Sequence, residues 1–193
     1  LMSINEIATA ILKSEFTRKT IIIGIEGFGG SGKTTLSDTL KTKLGNAYVV
    51  RLDDFIVKEK INENSWDKGI FDRKRLEKQV LIPATSNKAI KYQKLIWQTN
   101  KLGQFNEIPK VDYLIIEGIS CYHPDIAKYY DYKIWVNTPI ELAKERGRAR
   151  DGSNENVFMW DLWAENDINY QNKYHPELVA DFIFDNSAKI YLK

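Results

Sequence analysis

Gly27, Gly29, Gly30, Ser31, Gly32, Lys33, Thr34 and Thr35 stand in one run, GFGGSGKTT, whose residue types could cradle a chain of phosphates. Gly27, Gly32, Lys33 and Thr34 fill every defined position of the spacing G-x-x-x-x-G-K-[ST]. Glycines let successive backbone N–H groups converge on phosphate oxygens, and a helix starting at Lys33 would add the positive end of its dipole. The Lys33 ammonium would then reach the β- and γ-phosphates, and the Thr34 hydroxyl would take one position on Mg²⁺. The same glycines also spell G-x-G-x-x-G (Gly27, Gly29, Gly32), and Asp53 and Asp54 follow about twenty positions later, as a dinucleotide site would want. That alternative leaves Lys33, Thr34 and Thr35 without a role, so the phosphate loop is the better reading.

Phosphoryl transfer needs a placed metal, an aligned acceptor and positive charge around the migrating group. Glu117 ends an apolar run and is placed to hold Mg²⁺ directly or through water; capping the strand end or pairing a surface lysine is its plainer role. Asp53 could orient an acceptor hydroxyl and take its proton, with Asp54 the competing base; an Asp-Asp pair can also be a turn signal. Arg146, Arg148 and Arg150 end a helix that Gly147 is expected to weaken. Arg146 and Arg150, four apart, could share the face of a lid spanning residues 146–156, or they could be a solvated helix end. Trp66, Phe71, Tyr92 and Trp97 could wall an acceptor pocket, and Asp67 or Asp72 could bond sugar hydroxyls; core packing or helix capping competes for each. Trp160 and Trp163 read as core, and Cys121 as inert.

These groups need elements to hold them. Residues 4–13 carry apolar side chains at helical spacing, and residues 20–26 form a continuously apolar strand. Helix 33–44 follows, closed by Gly45-Asn46, and then strand 47–52, which runs into Asp53-Asp54. Residues 56–69 read as a polar loop, and Asp72 caps a helix over 73–81 that Pro83 should end. Segments 90–93 and 95–97 are possible short strands inside a functional insertion. Strands 111–117, 132–136 and 182–184 and helices 141–148 and 157–170 complete the pattern, with 151–156 polar and mobile. Alternation of strand and helix predicts an α/β fold, a parallel five-stranded sheet flanked by helices on both faces. In such a sheet ligands gather at the carboxyl ends of the strands, where Asp53 and Glu117 fall.

The composition sets limits. At 193 residues and 43% hydrophobic, the chain fits one domain over 1–193. A net charge of +2 gives no argument for nucleic acid or an acidic surface as the main partner, and suits a small anionic ligand equally well. One cysteine excludes an internal disulfide framework, and two distant histidines make a zinc site unexpected. No apolar run is long enough to span a membrane and no secretory pattern is visible, so the expected location is cytoplasmic.

Taken together, GFGGSGKTT, RLDDF, IIEGIS and IWVNTPIELAKERGRARD resemble the uridine kinase and phosphoribulokinase group of P-loop kinases, which includes nicotinamide riboside kinases. The resemblance covers about residues 20–185. It implies ATP or GTP with Mg²⁺ as donor and a hydroxyl of a nucleoside or similar small molecule as acceptor, in a monomer or homo-oligomer. By position Asp53 looks like the family's base and metal-side carboxylate, Glu117 like its second acid and Asp67 like its ribose-binding acid. Arg146 and Arg150 are similar to its lid arginines. Two departures concern the acceptor: Ile56 stands where members that phosphorylate uridine usually have tyrosine, and the proline, tyrosine and histidine signature of their base-recognition hairpin has no counterpart between Lys88 and Lys101. A nucleotide-binding switch without small-molecule kinase activity is the alternative function, to be separated from a kinase by an Asp53→Asn variant.

Overall fold

The computed structural model describes residues 1–15, 20–152 and 155–188, with backbone only at 155 and 156. Strands β1 (Ile21–Glu26), β2 (Ala47–Arg51), β5 (Tyr113–Glu117), β6 (Tyr132–Asn137) and β7 (Phe182–Asp185) form a parallel five-stranded sheet in the order β2-β5-β1-β6-β7. The expected sheet is therefore present. Between β2 and β5 the chain forms a separate antiparallel hairpin of β3 (Ile90–Ile96) and β4 (Lys101–Ile108).

Strand period sorts the core into two layers, because neighbouring side chains leave a strand on opposite faces. Ile21, Ile23 and Ile25 pack with Ile7 and Ile11 of α1 (Ile4–Leu12) and with Leu36, Leu40 and Leu44 of α2 (Lys33–Leu44). Ile22 goes to the other face, with Leu114, Ile116, Phe55, Leu76 and Tyr170. Ser3 starts α1 with a reciprocal capping box to Glu6, which satisfies two otherwise free N–H groups.

Three expectations about elements need correction. The helix capped by Asp72 does not stop before Pro83: α3 (Arg73–Leu76) continues as a π-helical turn over Glu77–Leu81 into α4 (Ile82–Thr85). A widened turn ahead of Pro83 accommodates the proline's missing N–H and the crowding of its ring. The polar loop 56–69 contains two 3₁₀ turns, Lys58–Lys60 and Trp66–Lys68, the second placing Asp67. Gly147 does not interrupt its helix, since α5 (Ile140–Asp151) runs through it unbroken. A Cβ there would meet the Trp160 ring at 2.2 Å, so glycine permits the packing of α5 on α6 (Trp160–Tyr174). Residues 153 and 154, within the segment expected as a mobile lid, lie outside the described residues.

Candidate active site

β1 delivers the chain into the phosphate loop at the carboxyl edge of the sheet, between β5 and β6. The loop is braced from behind: the Ser31 carbonyl accepts bonds from Asn186 Nδ2 at 2.7 Å and Thr138 Oγ1 at 3.2 Å. Gly32 initiates α2 in the left-handed region at φ 98°, and a Cβ there would sit 2.4 Å from Asn186 Nδ2. Both strain and space therefore demand glycine. No side chain caps α2, which leaves its first N–H groups to an anion. Lys33 curls back, its Nζ donating to the Phe28 carbonyl at 2.8 Å.

Opposite the loop, Glu117 closes β5, in register with Ile25 of β1 and Arg51 of β2. Its Oε1 accepts from Thr34 Oγ1 at 3.1 Å and from Arg51 Nη1 at 2.7 Å, while Arg51 Nη2 reaches Asp38 at 3.1 Å. Asp53 lies in the 3₁₀ turn Leu52–Phe55 that follows β2. Asp53 is exposed to solvent, with protein packed closely around it. Loss of water, and then the Glu117 and Asp54 carboxylates, raise its pKa, while Lys33 and Arg150 pull the other way. Asp54 turns to the hairpin instead, with Lys94 Nζ at 3.3 Å and the Tyr92 hydroxyl at 3.4 Å.

The sequence expectation of Mg²⁺ can be tested against this donor set. Among the described residues no three His, Cys, Asp or Glu side chains cluster so as to hold a metal alone. Mg²⁺ is usually shared between one or two carboxylates, substrate phosphates and water. A hydroxyl on Thr34 bonded to the Glu117 carboxylate, with Asp53 destabilised by like charge, fits a cation that arrives with a nucleotide.

The other expected residues are dispersed. Arg150 stacks over Trp160 at 5.5 Å and bonds Asp151, and its charge reaches Asp53. Arg146 instead donates to the carbonyls of Asn186 at 3.0 Å and Ala188 at 2.6 Å, so the two arginines do not share partners. Arg148 pairs with Asp161. Asp67 accepts from Lys173 Nζ at 2.6 Å and the Tyr174 hydroxyl at 3.0 Å, and lies 3.2 Å from His123 Nε2. Burial opposes ionisation of Asp67, but these donors prevail and hold its carboxyl below the usual range. Tyr92 is a correction: its ring is fully buried, stacked on Phe55 5.8 Å away, so it cannot wall a pocket. Asp72 is the α3 cap.

Two buried acids were missed. Glu26, the last residue before the loop, accepts from Tyr122 N–H at 2.7 Å and the Tyr170 hydroxyl at 3.3 Å, and its Oε2 has no hydrogen-bond partner among the described residues. Burial pushes its pKa up to about 8. Asp167 on α6 accepts from Gly29 N–H at 2.7 Å and from the Trp66 indole at 2.8 Å. A signal for the second existed: Trp160, Asp167, Tyr170 and Tyr174 recur at helical spacing, which puts a carboxylate on the inward face.

No family model matches the chain. In sequence it is similar to uridine kinase-like protein 4 of Arabidopsis thaliana, 28% identical over 153 residues, covering 74% of this chain and 32% of the relative. It is also similar to nicotinamide riboside kinase of Saccharomyces cerevisiae, 26% identical over 163 residues, covering 70% of this chain and 68% of that one. The chain thus spans about a third of the length of the plant relative. In fold it is similar to the solved structure of a possible uridine kinase from Bacillus stearothermophilus, with a TM-score of 0.74, 18% identity and coverage of 94% and 97% of the two chains. Curated relatives and solved structure together make this chain one similar to P-loop kinases of the uridine kinase and nicotinamide riboside kinase type.

Proposed function

We propose that the chain is a small-molecule kinase that moves the γ-phosphate of ATP or GTP to a hydroxyl of a nucleoside or similar acceptor. The observation that carries this reading is that Lys33, Asp53, Glu117 and Thr34 converge at one edge of the sheet, with the charge of Arg150 in reach. The loop N–H groups and Lys33 bind the triphosphate, Lys33 exchanging the Phe28 carbonyl for phosphate oxygens. Thr34, Glu117 and Asp53 would hold Mg²⁺, which when bound supplies charge neutralisation on the β- and γ-phosphates.

Asp53 accepts the proton of the acceptor hydroxyl as its oxygen bonds to the γ-phosphorus and the bond to the β–γ bridging oxygen breaks, leaving ADP or GDP. Arg150 supplies positive charge toward the migrating group, and Arg146 joins it only if a lid over 146–156 closes and exchanges its carbonyl partners. Asp54 and Asp67 are the acceptor-side polar groups of this reading. A single catalytic unit over 1–193, cytoplasmic and without nucleic-acid or membrane partners, accommodates it; among the described residues no helix is long and apolar enough to cross a membrane.

The names of the relatives suggest an acceptor panel of uridine and nicotinamide riboside, extended to other nucleosides, ribosides and sugar phosphates. Ile56 is half-buried and bridged to Phe71, so it offers the acceptor no hydroxyl. Purified protein with Mg-ATP is expected to release ADP with at least one acceptor. Asp53→Asn should lower turnover by about 10²–10⁴-fold while nucleotide binding through the phosphate loop is kept. Silence against the whole panel would remove the proposal, and a partner response retained in Asp53→Asn would then favour a nucleotide-binding switch; full turnover in Asp53→Asn would remove Asp53 as the base.

A further inference from the structure

We infer that Asp167 is a positioning residue that ties the phosphate loop to the turn carrying Asp67, so that nucleotide binding orders the acceptor side. This rests on the kinase reading above. Asp167 is 2% exposed, and its two carboxylate oxygens are divided between the two sides. Oδ2 takes the N–H of Gly29, inside the phosphate loop, at 2.7 Å, and Oδ1 takes the indole N–H of Trp66 at 2.8 Å. Trp66 opens the 3₁₀ turn Trp66–Lys68, whose next residue is Asp67.

The same helix grips that turn a second time. Lys173 and Tyr174, near the end of α6, both donate to Asp67 Oδ2, and Asn166 Nδ2 donates to the Glu63 carbonyl on the approach to the turn. At its other end α6 touches the loop and the arginine helix together: a Cβ on Gly29 would meet the Trp160 ring at 3.0 Å, and Arg150 stacks on that ring. Helix α6 is therefore a strut with the nucleotide side at one contact and the acceptor side at the other. A carboxylate held at both oxygens is stiff, because charge-assisted bonds are short and directional. A shift of the Gly29 amide on phosphate binding must either break one of these bonds or be passed to Trp66. Without a buried anion between them, the loop and the turn have no shared partner at this point.

Amide hydrogen exchange tests this without acceptor or turnover, using Mg-ADP as the probe. In the wild-type chain Mg-ADP is expected to slow exchange about threefold or more both in a peptide covering the phosphate loop and in one covering Ser65 to Gly69. The β3–β4 turn peptide should be unaffected. In Asp167→Asn, whose amide oxygen can serve only one of the two donors, loop protection should persist and protection of the 65–69 peptide should disappear. Should this buried substitution not fold, Trp66→Phe removes the bond from the other side and is expected to give the same separation. The inference is overturned if the loop is protected while 65–69 is unchanged in the wild type, or if 65–69 stays protected in a folded variant. Absence of loop protection in the wild type would overturn the nucleotide reading, and the inference with it.

Discussion

Glu26 carries an unusual electrostatic load for a residue that touches no expected ligand. Its carboxyl is fully buried, one oxygen has no hydrogen-bond partner among the described residues, and burial raises its pKa to about 8 against the partial opposition of Tyr122 N–H, the Tyr170 hydroxyl and Lys33. In an unfolded chain the group titrates near 4.5, so between pH 4.5 and 8 the folded state binds more protons than the unfolded one. Stability must then fall as pH rises through that window, at up to about 1.4 kcal/mol per pH unit. Glu26→Gln keeps the shape and removes the titration. Chemical denaturation at pH 5.5 and pH 8.5 is expected to show the wild type losing on the order of 1–3 kcal/mol more than the variant. Equal losses would mean that Glu26 is solvated in the folded state. Sequence could not reveal this, because an acid at the end of an apolar strand looks the same whether it meets Thr34 of the loop, as Glu117 does, or the Tyr122 and Tyr170 side of the core. Lys33, Thr34 and Glu117 were legible because their spacing is local or tied to a strand end. For Asp167 only the inward placement was legible and not its partners, which lie 138 and 101 positions away.

At the scale of elements, the sheet was legible and the joints were not. Buried parallel strands such as IIIGIE and YLIIE announce themselves as apolar runs, because helices cover both faces. The hairpin strand β4 does not, because KLGQFNEI is solvent-facing at most positions and has no alternation to read. Gly147 is the instructive misreading: propensity assigns glycine a helix-weakening role, yet the α5–α6 contact requires it. Gly147→Ala would gain about 1 kcal/mol of helix propensity, but its methyl would overlap the Trp160 ring, which the Cβ position meets at 2.2 Å. Overpacking typically costs 1–3 kcal/mol. The expected net result is a loss of about 0–2 kcal/mol together with a displaced Trp160, read as a changed tryptophan emission spectrum. A variant more stable than wild type with unchanged fluorescence would show that the two helices can separate freely. Because Trp160 also supports Arg150, turnover should fall more in this variant than stability alone explains.

For the whole molecule, the decisive property is that the nucleotide site is half-built. The phosphate loop is braced by Asn186 and Thr138, but the acids across from it are held by protein cations, Arg51 on Glu117 and Lys94 on Asp54. No set of three acids or histidines stands ready for a free metal among the described residues. Mg²⁺ by itself must therefore compete with Arg51 for Glu117 and gain little, whereas a metal that arrives on a triphosphate brings its own oxygens. Stabilisation by a ligand follows RT ln(1 + [L]/Kd), about 2.7 kcal/mol at a hundredfold excess over Kd. For a chain of this size each kcal/mol moves the melting temperature by about 2–4 °C. Mg-ADP at saturating concentration is expected to raise Tm by about 5–10 °C, millimolar Mg²⁺ alone by less than about 1 °C, and Lys33→Ala should abolish the nucleotide response. A large shift with Mg²⁺ alone would instead require a preformed cation site, and Arg51 would then have to leave Glu117 without help from phosphate. Arg51→Met discriminates further: with the competing guanidinium gone, free Mg²⁺ should begin to stabilise the chain while the Mg-ADP response remains.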